Sequence, residues 1–339
     1  MLRILLGMFL FASLLLDSLL PRGADRPVRL RDLVPASDPL CRQDLSFDAR
    51  FAQAAVNYVR SRDPALPEIL AQLPATQHLL NHAMHFDYDV PKNSPLELVT
   101  YLLPASRDLK AEADRVERSI AYFTGPMLDD PHWVNEVLYY LPSGFRFRGS
   151  LFLTFGYDIG VALAPNASLN GAHRHFAENQ RELLYYAIHE LHHVGVNTYQ
   201  PPPRISDIKT CADILRLVDY STELEGMGVY ATYRRREAEH ALQDDPDYVA
   251  LANPEQMRVL ERRYNELYEN LKHRKNEPAD RDAFSVVEKM SSGDRLWYRV
   301  GAMMAGRIEQ TLGHEALIKI IAGNHPAFVE TYRKIPRER

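Results

Sequence analysis

Apolar positions recur every three to four residues along most of the chain, a pattern that predicts a protein built mainly of amphipathic helices. Phe47, Phe51, Ala55 and Tyr58 share one face of a helix that Ser46 is placed to cap. Ser94-Pro95 reads as an N-cap followed by proline in the first turn. Beyond Asp108, a second stripe runs through Leu109, Val116, Ile120 and Phe123. Asn253-Pro254 opens a helix with Met257, Leu260, Tyr264, Leu267 and Leu271 on one side. Three more helices are predicted from Asp294 to Leu312, His314 to Ala322 and Pro326 to Tyr332, with Gly313 and Gly323 ending the first two. One region breaks the period. Gly149 to Gly156 and Ile159 to Ala164 are short and apolar, and read as two strands joined by Tyr157-Asp158. The hydrophilic stretches Gln243 to Asp247 and Lys272 to Asp282 are expected on the surface, as is the Arg234-Arg235-Arg236 face of a charged helix.

The first residues stand apart from this pattern. A short basic start, Met1-Leu2-Arg3, precedes the apolar run Ile4 to Leu20, which reads as a secretory signal or an N-terminal membrane anchor. The chain is therefore expected to be exported, secreted or periplasmic, or to associate with a membrane through its N-terminus. The expected organisation is a targeting segment at 1–24, a helical N-terminal region at 25–148 and a second region at 149–339 that opens with the two strands. With 46% apolar residues in 339, there is ample material for a sizeable core. Forty Lys and Arg stand against 45 Asp and Glu, a net charge of −5. No surplus of positive charge is available for a phosphate backbone, which argues against a nucleic-acid partner. Cys41 and Cys211 are too few for a Cys-rich zinc module; in an oxidising compartment they can pair, and otherwise they stay as thiols. Asn166-Ala167-Ser168 fits a glycosylation sequon.

The chemistry concentrates in residues 185–195. His189-Glu190-Leu191-His192-His193 is a His-Glu-x-x-His element, and Leu183, Leu184, Ala187, Ile188, Leu191 and Val194 independently predict the helix that carries it. A separation of four places His189 and His193 one turn apart on the same side, where two imidazoles can bind one zinc ion. Glu190, next to the first ligand, is placed to take a proton from water that zinc acidifies. His192 is expected to pack or to support the site. A catalytic zinc needs a third protein ligand. Position 199 is Tyr, which excludes the class with a third histidine there. Glu225, on a later helix, is the leading third ligand, with Glu223 as its competitor and Asp219 placed to orient a ligand histidine. Gly226 and Gly228 are expected to let this helix approach the active-site helix closely. Gly313-His314-Glu315 repeats two letters of the motif, but position 318 is Ile, so it forms no second site.

Together, His189 to His193 and Glu225-Gly226-Met227-Gly228 resemble the gluzincin pattern. Within it, the sequence is similar to a group of zinc-dependent peptidases carrying His-Glu-x-His-His, a Glu-Gly helix, a Tyr-x-x-Gly-x-x-x-Ala helix and a short Gly-x-x-Ala-Leu helix. The counterparts are Tyr298-Arg299-Val300-Gly301-Ala302-Met303-Met304-Ala305 and Gly313-His314-Glu315-Ala316-Leu317, and the likeness runs from about Gly149 to Tyr332. Two departures are Gly228, where many gluzincins have Ala, and the Pro201-Pro202-Pro203 loop. The resemblance implies an α+β, predominantly helical, zincin-like fold with a small sheet before the active-site helix. It implies one zinc ion per chain on His189, His193 and Glu225, Glu190 as general base, and a peptide or protein substrate. It also implies Tyr298 as a catalytic donor to the oxyanion, with Tyr230, Tyr233 and Arg299 behind it, and Ile159 to Ala164 as an edge strand for extended substrate. Two rival readings are a zinc hydrolase of another amide and a non-enzymatic anchored binding protein, whose site would be closed by a fourth ligand such as His192 or Glu223.

Overall fold

The structure, a computed structural model, describes residues 26–323 and 325–336. These fall into two compact units. The first holds the described residues up to Trp133 together with Arg146–Glu190; the second holds Val134–Phe145 and the residues from Leu191 onward. The boundary lies inside one continuous helix, Glu182–Tyr199.

In the first unit, β1 (Val28–Arg29), β2 (Asp44–Asp48), β3 (Arg148–Thr154), β4 (Gly160–Leu163) and β5 (Asn166–Asn170) form one mixed sheet in the order β1-β2-β3-β5-β4. The pairs β2–β3 and β3–β5 are parallel, while β1 and β4 pair antiparallel at the two edges. Leu151 to Thr154 of β3 are buried in succession, as expected for a central strand covered on both faces. Helices α1 (Arg50–Ser61), α2 (Pro74–His85) and α3 (Lys110–Thr124) complete this unit's core. Phe47 anchors it, with ring centroids 6.2 Å from Phe123 and 5.9 Å from Trp133.

The sheet has five strands where the sequence pattern predicts two. Ser46 caps no helix: it lies in β2, with Phe47 in register with Leu151, and the helix begins only at Arg50, whose N–H is accepted by Asp48 at 3.0 Å. The partner of this strand is about a hundred residues away, so its pairing leaves no local trace. The Asn166 sequon falls in β5, where the Asn166 Oδ1 accepts the Ser150 N–H at 2.9 Å and is committed within the sheet. Cys41 and Cys211 are both free thiols. The apolar segment Ile4 to Leu20 lies outside the described residues; among those described, no helix is long and apolar enough to cross a membrane.

The second unit takes up the C-terminal half of α4 (Glu182–Tyr199) and is otherwise built from α5 (Cys211–Ala238), α6 (Pro254–His273), α7 (Leu296–Leu312), α8 (His314–Ile321) and shorter helices. A capping box between Thr210 and Asp213 opens α5, and Asn253 caps α6 through the Glu255 and Gln256 N–H groups. Gly226 does not serve the approach to the active-site helix. It faces α7: a Cβ on Gly226 would lie 2.4 Å from the Gly301 carbonyl carbon, and one on Gly301 would lie 2.4 Å from the Thr222 carbonyl oxygen. The two helices cross backbone to backbone at this glycine pair.

The segment Gln243 to Asp247 is at the surface only in part: Gln243, Asp244 and Pro246 are exposed, but its two other aspartates are not. Asp245 and Asp247 are buried, the first accepting the Asp247 N–H at a helix start and the second accepting Nε–H bonds from Arg299 at 2.8 Å and Arg295 at 2.9 Å. Arg236 is buried too, 4.4 Å over the Tyr248 ring, and the partly buried Arg235 pairs with Glu136 at 2.7 Å, while Arg234 is exposed, so only the first of the three arginines lies on the expected solvated face. Asp247→Ala would leave the buried Arg299 guanidinium without its carboxylate, and chemical denaturation is expected to show a loss of about 3–5 kcal/mol. A loss below about 1 kcal/mol would mean that water replaces the carboxylate.

Candidate active site

The buried stripe Leu183, Leu184, Ala187, Ile188, Leu191 and Val194 fixes which faces of α4 remain for chemistry. His189 is half-buried, while Glu190 and His193 are buried. The helix is continuous through all three, so its pitch stacks His189 and His193 on one side. From α5, Glu225 presents its Oε2 3.2 Å from His193 Nε2. One donor atom each from His189, His193 and Glu225 lies within 4.8 Å of the others.

This donor set fits zinc. Two imidazoles and one carboxylate are the three-ligand complement of a catalytic site, with one position left for water or substrate. Two donors bonded at about 2.0–2.1 Å and set tetrahedrally stand about 3.3–3.4 Å apart, close to the 3.2 Å between His193 and Glu225. The competing residues each make a hydrogen bond outside this group. Glu223 is fully buried and accepts a hydrogen bond from Gln200 Nε2 at 3.2 Å. His192, also fully buried, donates from Nε2 to the Tyr140 carbonyl at 3.1 Å. Asp219 accepts the Tyr268 hydroxyl at 2.8 Å. Beside Glu225 in the chain's fold, Tyr220 donates to Asn197 Oδ1 at 3.0 Å, and burial together with the Glu225 and Glu223 carboxylates pushes its phenol well up, so it stays a neutral donor.

A family described as "Putative zinc dependent peptidase (DUF5700)" matches residues 106–339, more than half of the chain. The chain belongs to this family. No curated protein and no solved structure matches it. The span shared with the DUF5700 family contains β3 to β5, α4, α5 and α7, and with them every residue of the donor group; β1, β2, α1 and α2 precede it.

The remaining candidates of this DUF5700 chain are engaged unequally. Tyr230 donates to Glu309 Oε2 at 2.5 Å, and Arg299 is locked to Asp247, so both are held by structural partners. Tyr233 lies beside Tyr248, with ring centroids 6.2 Å apart. Tyr298 is half-buried, packs on the cluster of Val229, Tyr248 and Ala302, and carries the Arg295 guanidinium 3.6 Å over its ring. Val229 sits one turn beyond Glu225 on the same helix face, which ties Tyr298 to the stretch of α5 that bears the carboxylate. On the sheet side, the Glu190 carboxylate lies against the backbone of Gly160 at the start of β4. The sequence pattern marks Gly160 only as a residue opening a strand; its proximity to Glu190 arises from tertiary packing and has no local signature. His78 of α2 donates from Nε2 to the Val161 carbonyl at 3.3 Å, and its burial lowers its pKa to about 4, keeping the ring neutral against the strand.

Proposed function

We propose that this protein is a zinc-dependent peptidase in which His189, His193 and Glu225 hold one zinc ion and Glu190 is the general base. The observation that carries this reading is the approach of Glu225 to His193, one helical turn from His189. A bound zinc ion supplies Lewis acidity, which polarises a peptide carbonyl and makes water easier to deprotonate. Glu190 takes the proton of the attacking water on its carboxylate and delivers it to the leaving amine. Its burial beside β4 keeps the base dry and close to the edge of the sheet. Tyr298 is the hydrogen-bond donor to the oxyanion, since Tyr230 and Arg299 are otherwise engaged.

The substrate is an extended peptide that adds to β4. The Asn170 N–H donates to the Ile159 carbonyl, so by the two-residue period Gly160 and Ala162 turn their N–H and C=O groups away from β5. Pairing of that kind is indifferent to side chains, and neighbouring pockets supply selectivity. The run Ile4 to Leu20 supports export or membrane anchoring as the setting of this activity. The deciding experiment is zinc analysis of the full chain together with a peptide-library assay. About one zinc per chain, with cleavage abolished by a chelator and restored by zinc, is the expected result. A chain that takes up no zinc on reconstitution overturns the reading.

A further inference from the structure

Gly160 has a backbone conformation open to any residue, so what calls for glycine there is space. A Cβ at this position would lie 2.5 Å from Glu190 Oε1, 2.8 Å from Cδ and 2.9 Å from Cγ. Carbon atoms at rest against each other stand about 3.5–4.0 Å apart. The whole carboxylate end of Glu190 therefore occupies the volume that any other side chain would fill. Glu190 is 5% exposed, which leaves it little room to swing aside.

We infer that Gly160 is a positioning residue whose absent side chain forms the seat of the Glu190 carboxylate. The seat fixes the base to the edge strand, so a peptide paired with β4 and the group that takes the proton share one frame. Its catalytic meaning rests on the peptidase reading; the seat itself does not.

The test is a double-mutant cycle in the full chain using Gly160→Ala, Glu190→Ala and the pair. In chelated protein, Gly160→Ala is expected to lower Tm by about 2–6 °C when Glu190 is present, because overpacking displaces a buried side chain. With Glu190→Ala the obstructing atoms are gone, and adding Gly160→Ala is expected to change Tm by less than about 1 °C. Equal losses in both backgrounds overturn the inference. Should Gly160→Ala alone fail to fold, normal folding of the pair supports the seat, and failure of the pair overturns it. In zinc-loaded protein, Gly160→Ala is expected to keep one zinc per chain and its KM while kcat falls at least about tenfold. An unchanged kcat in an active enzyme overturns the positioning role. A wild type that cleaves no peptide overturns the peptidase reading instead, and the melting cycle then decides the seat by itself.

Discussion

Glu190→Gln is expected to lower kcat by about 10²–10⁴ while leaving one zinc per chain. The amide matches the carboxylate in size, so it remains in the space beside Gly160 and adds no atom to a buried site. It cannot accept the proton of the attacking water. Glu190 is also absent from the group of His189, His193 and Glu225, so metal content is expected to be unaffected. Steady-state peptide hydrolysis and elemental analysis on the same preparation separate the two effects. Activity within threefold of the wild type would show that another group takes the proton. Loss of zinc would make Glu190 a ligand instead of a base.

The second large effect is expected at Glu225. Glu225→Ala removes one of three protein donors and should weaken zinc binding more than about 100-fold, beyond the 10–100-fold typical of residues that only support a ligand. Glu223→Gln is the matched control. It lies two residues away on the same helix and is more deeply buried, but its carboxylate meets Gln200 instead of a histidine. Competition with a chromophoric chelator is the measurement. If Glu223→Gln weakened zinc binding as much as Glu225→Ala, the assignment of the third ligand would fall.

Local pattern carried much of this architecture. The α4 stripe and the four-residue separation of His189 and His193 need only helical periodicity, and both are present as expected. The caps at Ser94 and Asn253 are equally local and form as anticipated. What escaped is what depends on distant partners. Asp44–Asp48 becomes a strand because β3 lies beside it, and Asn166–Asn170 because it fits between β3 and β4. Asp245, Asp247 and Arg236 look solvated in sequence because charge usually is; here each is buried against an opposite charge or an aromatic face. The glycines mislead most. Gly226 does signal close approach, but toward Gly301 and not the helix that carries the histidines.

That glycine pair bears on how related chains should be judged. A relative could spell out both histidines, the base and Glu225, and still carry a valine at the position of Gly226 or Gly301. With no clearance between the two backbones, α5 would have to shift or rotate, and Glu225 would move with it. Such a chain would satisfy any search for the ligand letters and yet lack a working metal centre. Two residues with no side chains are thus as informative about activity as the four to which we assign the chemistry.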